Sequence, residues 1–271
     1  MYDAPRPIPT RLGTLMVHVP QTAPQLVLWP GVFHDSGLHR PLAAELGRAG
    51  VGAVLIEPPG FGGSEPISGD FSMADCGMAM VDVVRALGQG PMVVGGTSWG
   101  GATAAWAALG DPSIVRAAVM MNAPYDRGHR KAIAGPIPTL VRWTPPLLFA
   151  IGSIPASLAA NRVLSHGWSM VRTQHRALST ATARCRQTAG KRVFWHRESL
   201  FEPLQNLQVP ALVIAGELDQ LCPVRYARRA AEAIPQHELW LSPDTGHLTA
   251  FEAPEATARR ILEFMDTLAH R

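Results

Sequence analysis

Five continuous apolar runs limit what this chain can fold into more than any other feature. They are QLVLWP (25–30), GAVLIEPP (52–59), PMVVGG (91–96), VRAAVMMNAP (115–124) and ALVIAGELD (211–219). Each is short, bounded by turn residues and free of polar alternation, which is the pattern of a strand buried on both faces. Between most of them lie stretches with apolar residues at i, i+3 and i+4 that mostly end at Gly or near Pro: 39–50, 72–90, 99–111 and 224–235. Strand alternating with helix specifies an α/β chain, with a doubly wound, mainly parallel sheet and helices on both faces. At 271 residues, 47% hydrophobic and 17% charged, the chain has enough apolar material for one such core and lacks the charge-rich profile of a disordered segment.

The rhythm breaks between about Tyr125 and Leu207, where proline-rich and helix-like segments follow one another without a strand run. This reads as an insertion, so the expected organisation is a core of residues 1–124 and 208–271 with a helical segment, 125–207, between its halves. From Tyr125 to Arg197 there are twelve Lys or Arg and, up to that point, Asp126 is the sole acid, a net charge of about +11. The rest of the chain then carries about −8 of the total +3, so a nearly neutral whole conceals a polar one. Arg172, Arg176, Arg184, Arg186, Lys191 and Arg192 crowd into one acid-free stretch. They can pair with the acidic core, or form a basic rim that attracts an anionic substrate. No nucleic-acid-binding motif or aromatic platform accompanies them, so no nucleic-acid partner is expected.

Trp143–Ala160 is uncharged over a length approaching a bilayer span, but Pro145, Pro146 and Pro155 would interrupt a spanning helix, so no membrane span is expected. The polar, proline-broken MYDAPRPIPTRLG has no apolar signal region, which favours a cytoplasmic location. Cys76, Cys185 and Cys222 are odd in number and widely spaced, and read as reduced structural thiols. His129, His166, His175 and His196 lack ligand spacing on a common helical face, and no metal or cofactor is expected.

Ligands in such a sheet bind at the carboxyl ends of the strands. One of those ends carries GGTSWGG, with Gly96, Thr97, Ser98, Trp99 and Gly100 as G-x-S-x-G between a predicted strand and a predicted helix. A serine on so sharp a turn is pushed clear of the backbone, and the residues two before and two after it nearly touch, hence the glycines. A serine hydroxyl needs a base, and the base an orienting acid. Asp219, at the end of VIAGELD, and His247, in SPDTGH, lie at or beyond two later strand ends.

The order Ser, Asp, His and the segments QLVLWPGVFHDSG, IEPPGFGGSEP, GGTSWGG, AGELDQLCP and TGHLTAFEAPE together resemble the α/β-hydrolase superfamily over most of the chain. The resemblance implies an α/β-hydrolase fold with the helical cap inserted after the sixth strand. It implies Ser98 as nucleophile, His247 as general base and then acid, and Asp219 as the residue that orients the imidazole. Asp126, which follows another strand, stands where the fold can also supply the acid, and Glu217 and Asp244 lie near Asp219. The oxyanion hole would use the backbone N–H groups of Val32 and Trp99. Pro30 replaces the histidine the family often has before Gly31, and Glu57 replaces its usual aspartate in a structural role. His34 and Asp35 follow the oxyanion loop, with His34 a candidate substrate contact. The apolar stretch Ile133–Leu158 is cap core or a lid over an apolar acyl group.

The function so implied is a cofactor-free serine hydrolase that cleaves a carboxylic ester, thioester or lactone through an acyl-enzyme. Cleavage of a carbon–carbon bond or an amide on the same triad is open, as is a catalytically idle ligand-binding protein on this scaffold. Aspartate-nucleophile members of the fold are excluded by Ser98.

Overall fold

The computed structural model describes residues 2–67, 69–126, 144–145, 147–148, 151, 167–194 and 197–270. Eight strands form one sheet: β1 (Arg6–Thr10), β2 (Gly13–His18), β3 (Pro24–Trp29), β4 (Gly52–Ile56), β5 (Met92–Thr97), β6 (Val115–Met121), β7 (Ala211–Gly216) and β8 (His237–Ser242). Their order is β1-β2-β4-β3-β5-β6-β7-β8. From β4 through β8 every pairing is parallel, and only β1 with β2 and β2 with β4 are antiparallel.

The helices are α1 (Arg40–Arg48), α2 (Met73–Leu87), α3 (Trp99–Gly110), α4 (Gly167–Thr180), α5 (Ala183–Phe194), α6 (Val224–Ala233), α7 (Thr249–Glu252) and α8 (Pro254–Ala269). The apolar runs serve both faces of the sheet. Along β3, Val27 and Trp29 join the core beneath α2, α3 and α6, while Leu26 and Leu28 join the one beneath α1 and α8. Because both faces are covered, the strand positions of these runs are mostly apolar, and the exceptions Gln25 and Arg116 are exposed.

The N-terminal hairpin β1–β2 is a departure from the sequence reading, which found the first residues polar and proline-broken and assigned no strand there. Pro7 and Pro9 are compatible with a strand because β1 is the sheet's edge, where a missing N–H costs no ladder bond. Ile8, between them, points inward and is buried.

The topology positions the site. From β3 the chain moves to β4 on one side, and β5 then returns to the other side of β3. The loops leaving β3 and β5 therefore diverge at adjacent strand ends, which opens a crevice there. Val32 lies on the first loop and Ser98 on the second. The adjoining ends of β6 and β7, and the loop after β8, carry Asn122, Asp219 and His247.

Between β6 and β7 the described residues include the helices α4 and α5 and a 3-10 turn at Pro203–Asn206, and no strand. The neck of this insertion is closed where the Leu200 N–H donates to the Tyr125 carbonyl at 2.9 Å and the Arg197 Nε donates to the Asp126 carbonyl at 2.8 Å. Most of Ile133–Leu158 and of Trp143–Ala160, together with His129, His166 and His196, lies outside the described residues. Within those stretches Leu147, Leu148 and Ile151 are exposed. Among the described residues no helix is long and apolar enough to cross a membrane.

Candidate active site

Ser98 sits between β5 and α3 with φ 55° and ψ −113°, a left-handed conformation costly for any side chain by about 1–3 kcal/mol. Its N–H is held by the Met121 carbonyl at 2.8 Å, so the neighbouring strand helps to fix the turn. The glycines around it answer to contact distances. A Cβ on Gly96 would come within 2.5 Å of the Gly100 carbonyl carbon, and one on Gly100 would overlap the Trp29 carbonyl oxygen. On Gly101 it would lie 2.9 Å from the Ala123 Cβ. The elbow can thus be this tight only without side chains on its flanks.

The loop after β3 packs against the elbow. A Cβ on Gly31 would be 3.5 Å from the Thr97 carbonyl oxygen and 3.6 Å from the Ser98 Cβ. A turn closed by the His34 N–H on the Gly31 carbonyl, 3.2 Å, carries Val32 and Phe33, the latter at φ 65°. Trp99 opens α3, and a first-turn N–H has no acceptor within its own helix.

The His34 Nδ1 lies 3.0 Å from the Val32 carbonyl, an acceptor, which makes Nδ1 the protonated nitrogen. Burial lowers the pKa of His34 to about 4, against smaller opposing effects of the Val32 carbonyl and Asp35, so the ring is neutral near pH 7. His39, buried and bonded through Nε2 to the Thr97 hydroxyl at 2.9 Å, is likewise lowered, to about 3. Glu57 has the structural place expected of it: its carboxylate accepts from the Ser36 N–H at 3.0 Å and meets the His18 Nε2 at 2.8 Å.

Asp219 and His247 are brought together. The His247 Nδ1 lies 2.9 Å from the Asp219 Oδ2, and both side chains are buried. Asp219 also accepts from the Leu221 and Cys222 N–H groups through Oδ1, at 2.9 and 2.8 Å. Burial opposes a charge on His247, but Asp219 and, beside it, Cys222 together outweigh it and hold the imidazole well above its ordinary 6.5. Asp126 does not occupy that position. Its carbonyl anchors Arg197, and Asn122 stands at the end of β6 instead.

Asn122 is one residue the sequence reading missed. At φ 49°, which asparagine tolerates better than most residues, its amide nitrogen donates to the Asp219 Oδ2 and to the Gly246 carbonyl, each at 3.0 Å. Its amide oxygen accepts from the Thr249 hydroxyl at 2.8 Å. Glu252 is another. Its carboxylate accepts from the N–H groups of Gly246 and Leu248, both at 2.8 Å, and so brackets His247 on either side. Gly216 admits the same loop: a Cβ there would overlap the Thr245 and Gly246 carbonyl oxygens. The Cys222 thiol interacts with the His247 ring, and burial pushes the thiol's pKa up.

The sequence profile of the alpha/beta hydrolase fold matches residues 24–254. The chain belongs to the α/β-hydrolase family. This α/β-hydrolase is 22% identical over 262 residues to a 2-(acetamidomethylene)succinate hydrolase of Mesorhizobium japonicum, covering 93% of this chain and 92% of the relative. It is also 36% identical over 72 residues to an uncharacterized hydrolase, YugF, of Bacillus subtilis. That match spans only about a quarter, 26%, of the relative's length. A thermophilic esterase from Thermogutta terrifontis superposes with a TM-score of 0.80 at 22% identity, over 98% of this chain and 99% of the esterase.

The cap of this α/β-hydrolase meets its core through charge. Arg176, on α4, grips the Asp35 carboxylate with Nε at 2.6 Å and one terminal nitrogen at 2.7 Å, and Arg192, on α5, pairs with Asp70. Arg186 is buried, with one terminal nitrogen on the Leu178 and Ala181 carbonyls at 3.1 and 2.7 Å. At least three of the six clustered cations are therefore engaged within the molecule. Next to the elbow, a small pocket between core and cap is lined by Pro59, Ile67, Phe71, Trp99, Cys185 and Ala189.

Proposed function

We propose that this chain is a serine hydrolase acting on a carboxylic ester, thioester or lactone through an acyl-enzyme. The observation that carries the reading is Ser98 held at positive φ on a strand–helix elbow, in one sheet with a buried Asp219–His247 pair 2.9 Å apart. In this reading residues 1–124 and 208–271 are the catalytic core and 125–207 the cap.

The substrate carbonyl oxygen lies toward the N–H groups of Val32 and Trp99, whose dipoles stabilise the charge it acquires. As Ser98 Oγ attacks the carbonyl carbon, its proton passes to His247 Nε2. The imidazolium that forms is stabilised by Asp219 across Nδ1–H. Collapse of the tetrahedral intermediate expels the alcohol or thiol, which takes the proton from His247. Water, deprotonated by the same nitrogen, then releases the acid and restores Ser98. No metal or cofactor enters these steps. His34, neutral and with Nε2 outside its bond to Val32, contacts the substrate as a hydrogen-bond acceptor.

A second reading has one observation in its favour. The Mesorhizobium relative, matched over nearly its whole length, is named for hydrolysis of an acetamido-bearing succinate. An amide or carbon–carbon substrate carrying carboxylates would suit a cap rich in arginine.

The test is a panel of p-nitrophenyl esters, acyl-CoA thioesters, lactones and carboxylate-bearing amides on the purified protein, with Ser98→Ala as control. Turnover of a member of the first three classes that depends on Ser98 supports the main reading. Turnover confined to the amides supports the second. Activity equal in Ser98→Ala overturns both.

A further inference from the structure

Asp219, Cys222 and His247 together place a carboxylate oxygen, a thiol sulfur and an imidazole nitrogen within 4.8 Å of one another, all three residues buried. The arrangement follows from local structure. Asp219 and Cys222 lie on one turn, closed by the Cys222 N–H on the Asp219 Oδ1 at 2.8 Å, while Asn122 and Glu252 hold the loop that brings His247 against it. Carboxylate, thiolate and imidazole are the donor types that bind zinc, at about 2.0–2.3 Å from the ion in a tetrahedron. Ligand atoms in such a site stand roughly 3.5 Å apart, so closure asks for a shift of about 1 Å.

We infer that Asp219, Cys222 and His247 form an inhibitory site for a thiophilic divalent cation such as Zn²⁺ or Cd²⁺. The inference rests on the proposed role of His247 for its effect on activity, but not for the binding itself. The imidazole nitrogen beside Asp219 is Nδ1. When the cation takes that nitrogen, the ring's proton resides on Nε2, and the thiol proton leaves to solvent. A ring with Nε2–H can no longer accept the proton of Ser98, and the carboxylate that stabilised the imidazolium is bound to the ion instead. Hard cations such as Mg²⁺ prefer several oxygen ligands and gain little from one carboxylate, a thiolate and an imidazole. Because all three groups are buried, onset of inhibition is slow and follows local opening of the His247 loop.

The experiment titrates the full chain with CdCl₂ alone and records the ultraviolet thiolate-to-cadmium absorption band, the initial rate on the best substrate of the panel, and the rate of Ser98 labelling by a fluorophosphonate. The expected result is one Cd²⁺ per chain, a band that appears as activity and labelling fall, no effect of MgCl₂, and recovery on chelation. Cys222→Ser, with Cys222→Ala as a second variant, is expected to lose the band, and inhibition is read against each variant's own metal-free rate. Inhibition in these variants should need at least the roughly 10–100-fold more Cd²⁺ that loss of even an outer partner of a metal site costs. A band that survives in both variants, or no band in the wild-type chain, overturns the site. A normal band in a chain without hydrolytic activity or labelling leaves the site standing and contradicts the catalytic reading instead.

Discussion

Asn122 reaches across 97 residues of sequence to donate a hydrogen bond to the Asp219 Oδ2 at 3.0 Å, on the same oxygen that meets His247. One amide at the end of β6 thereby joins Asp219, the Gly246 carbonyl and the Thr249 hydroxyl, and so helps to register the loop carrying His247 against Asp219.

Replacing Asn122 by Leu keeps much of the volume and removes every one of these bonds. The Thr249 hydroxyl loses its acceptor, and leaving buried groups unpaired costs about 1–3 kcal/mol each. Urea unfolding is expected to register a loss of that size. A displacement of the base by about 1 Å would lower kcat on the order of a hundredfold. Wild-type kcat in a folded Asn122→Leu chain would show that Asp219 and His247 hold each other without help.

Asp219→Asn is expected to leave the fold intact and lower kcat by roughly 10⁴-fold, because a carboxamide can donate to Nδ1 and stabilise the wrong tautomer. Circular dichroism checks the fold and steady-state kinetics the loss. If Asp126→Asn is the crippled variant instead, the acid has been misassigned.

The pH profile follows from the raised pKa of His247. The base must be neutral to accept a proton, so kcat/KM rises with pH through the folded-state value, and its midpoint is expected above 6.5. An ordinary histidine would titrate at about 6.5; here burial disfavours the cation, and Asp219 together with Cys222 more than offsets it. Stability moves the opposite way. A histidine whose pKa is raised on folding contributes stability in full below its unfolded value, and loses it as pH climbs through the folded one. The urea midpoint should therefore fall over the interval in which activity rises, and should do so less in Asp219→Asn. A kinetic midpoint at or below 6.5 would contradict this.

Arg176 makes a different claim, about the cap. Asp35 is buried, accepts the Gly37 N–H at 2.8 Å and is otherwise neutralised by the half-exposed Arg176. Arg176→Gln is expected to speed proteolytic cleavage within 125–207 while changing the global urea midpoint little, since the pair ties α4 to the loop after β3 but lies outside the core. Unchanged cleavage would mean that packing and the Arg192–Asp70 pair seat the cap without Arg176.

The parts of this fold legible in sequence are those with local causes. Apolar runs mark the strands because most strand positions of a sheet covered on both faces are buried, and the glycines around Ser98 mark the elbow because they flank it in sequence, although the contacts that demand them include Trp29 and Ala123 on neighbouring strand ends. The hairpin β1–β2 was hidden by Pro7 and Pro9, which argue against a strand unless its edge position is known. Asn122 and Glu252 were hidden for another reason: their function lies in partners that only the completed sheet brings near. Cys222 reads as an isolated thiol in sequence, and only the loop carrying His247 gives it ligating neighbours. The cationic stretch was legible as charge, and pairing with the acidic core was one of its two readings, but the partners were not legible, since Asp35 and Asp70 stand far from Arg176 and Arg192 in the chain.

The central claim is that Ser98 is the nucleophile, and the most direct measurement is mass-spectrometric mapping of the adduct left by a fluorophosphonate on the folded protein. A single adduct on the Ser98 hydroxyl is expected, formed much more slowly in His247→Ala and absent in Ser98→Ala. An active protein that carries no adduct at Ser98, or is inactivated with the adduct on another residue, would contradict the account.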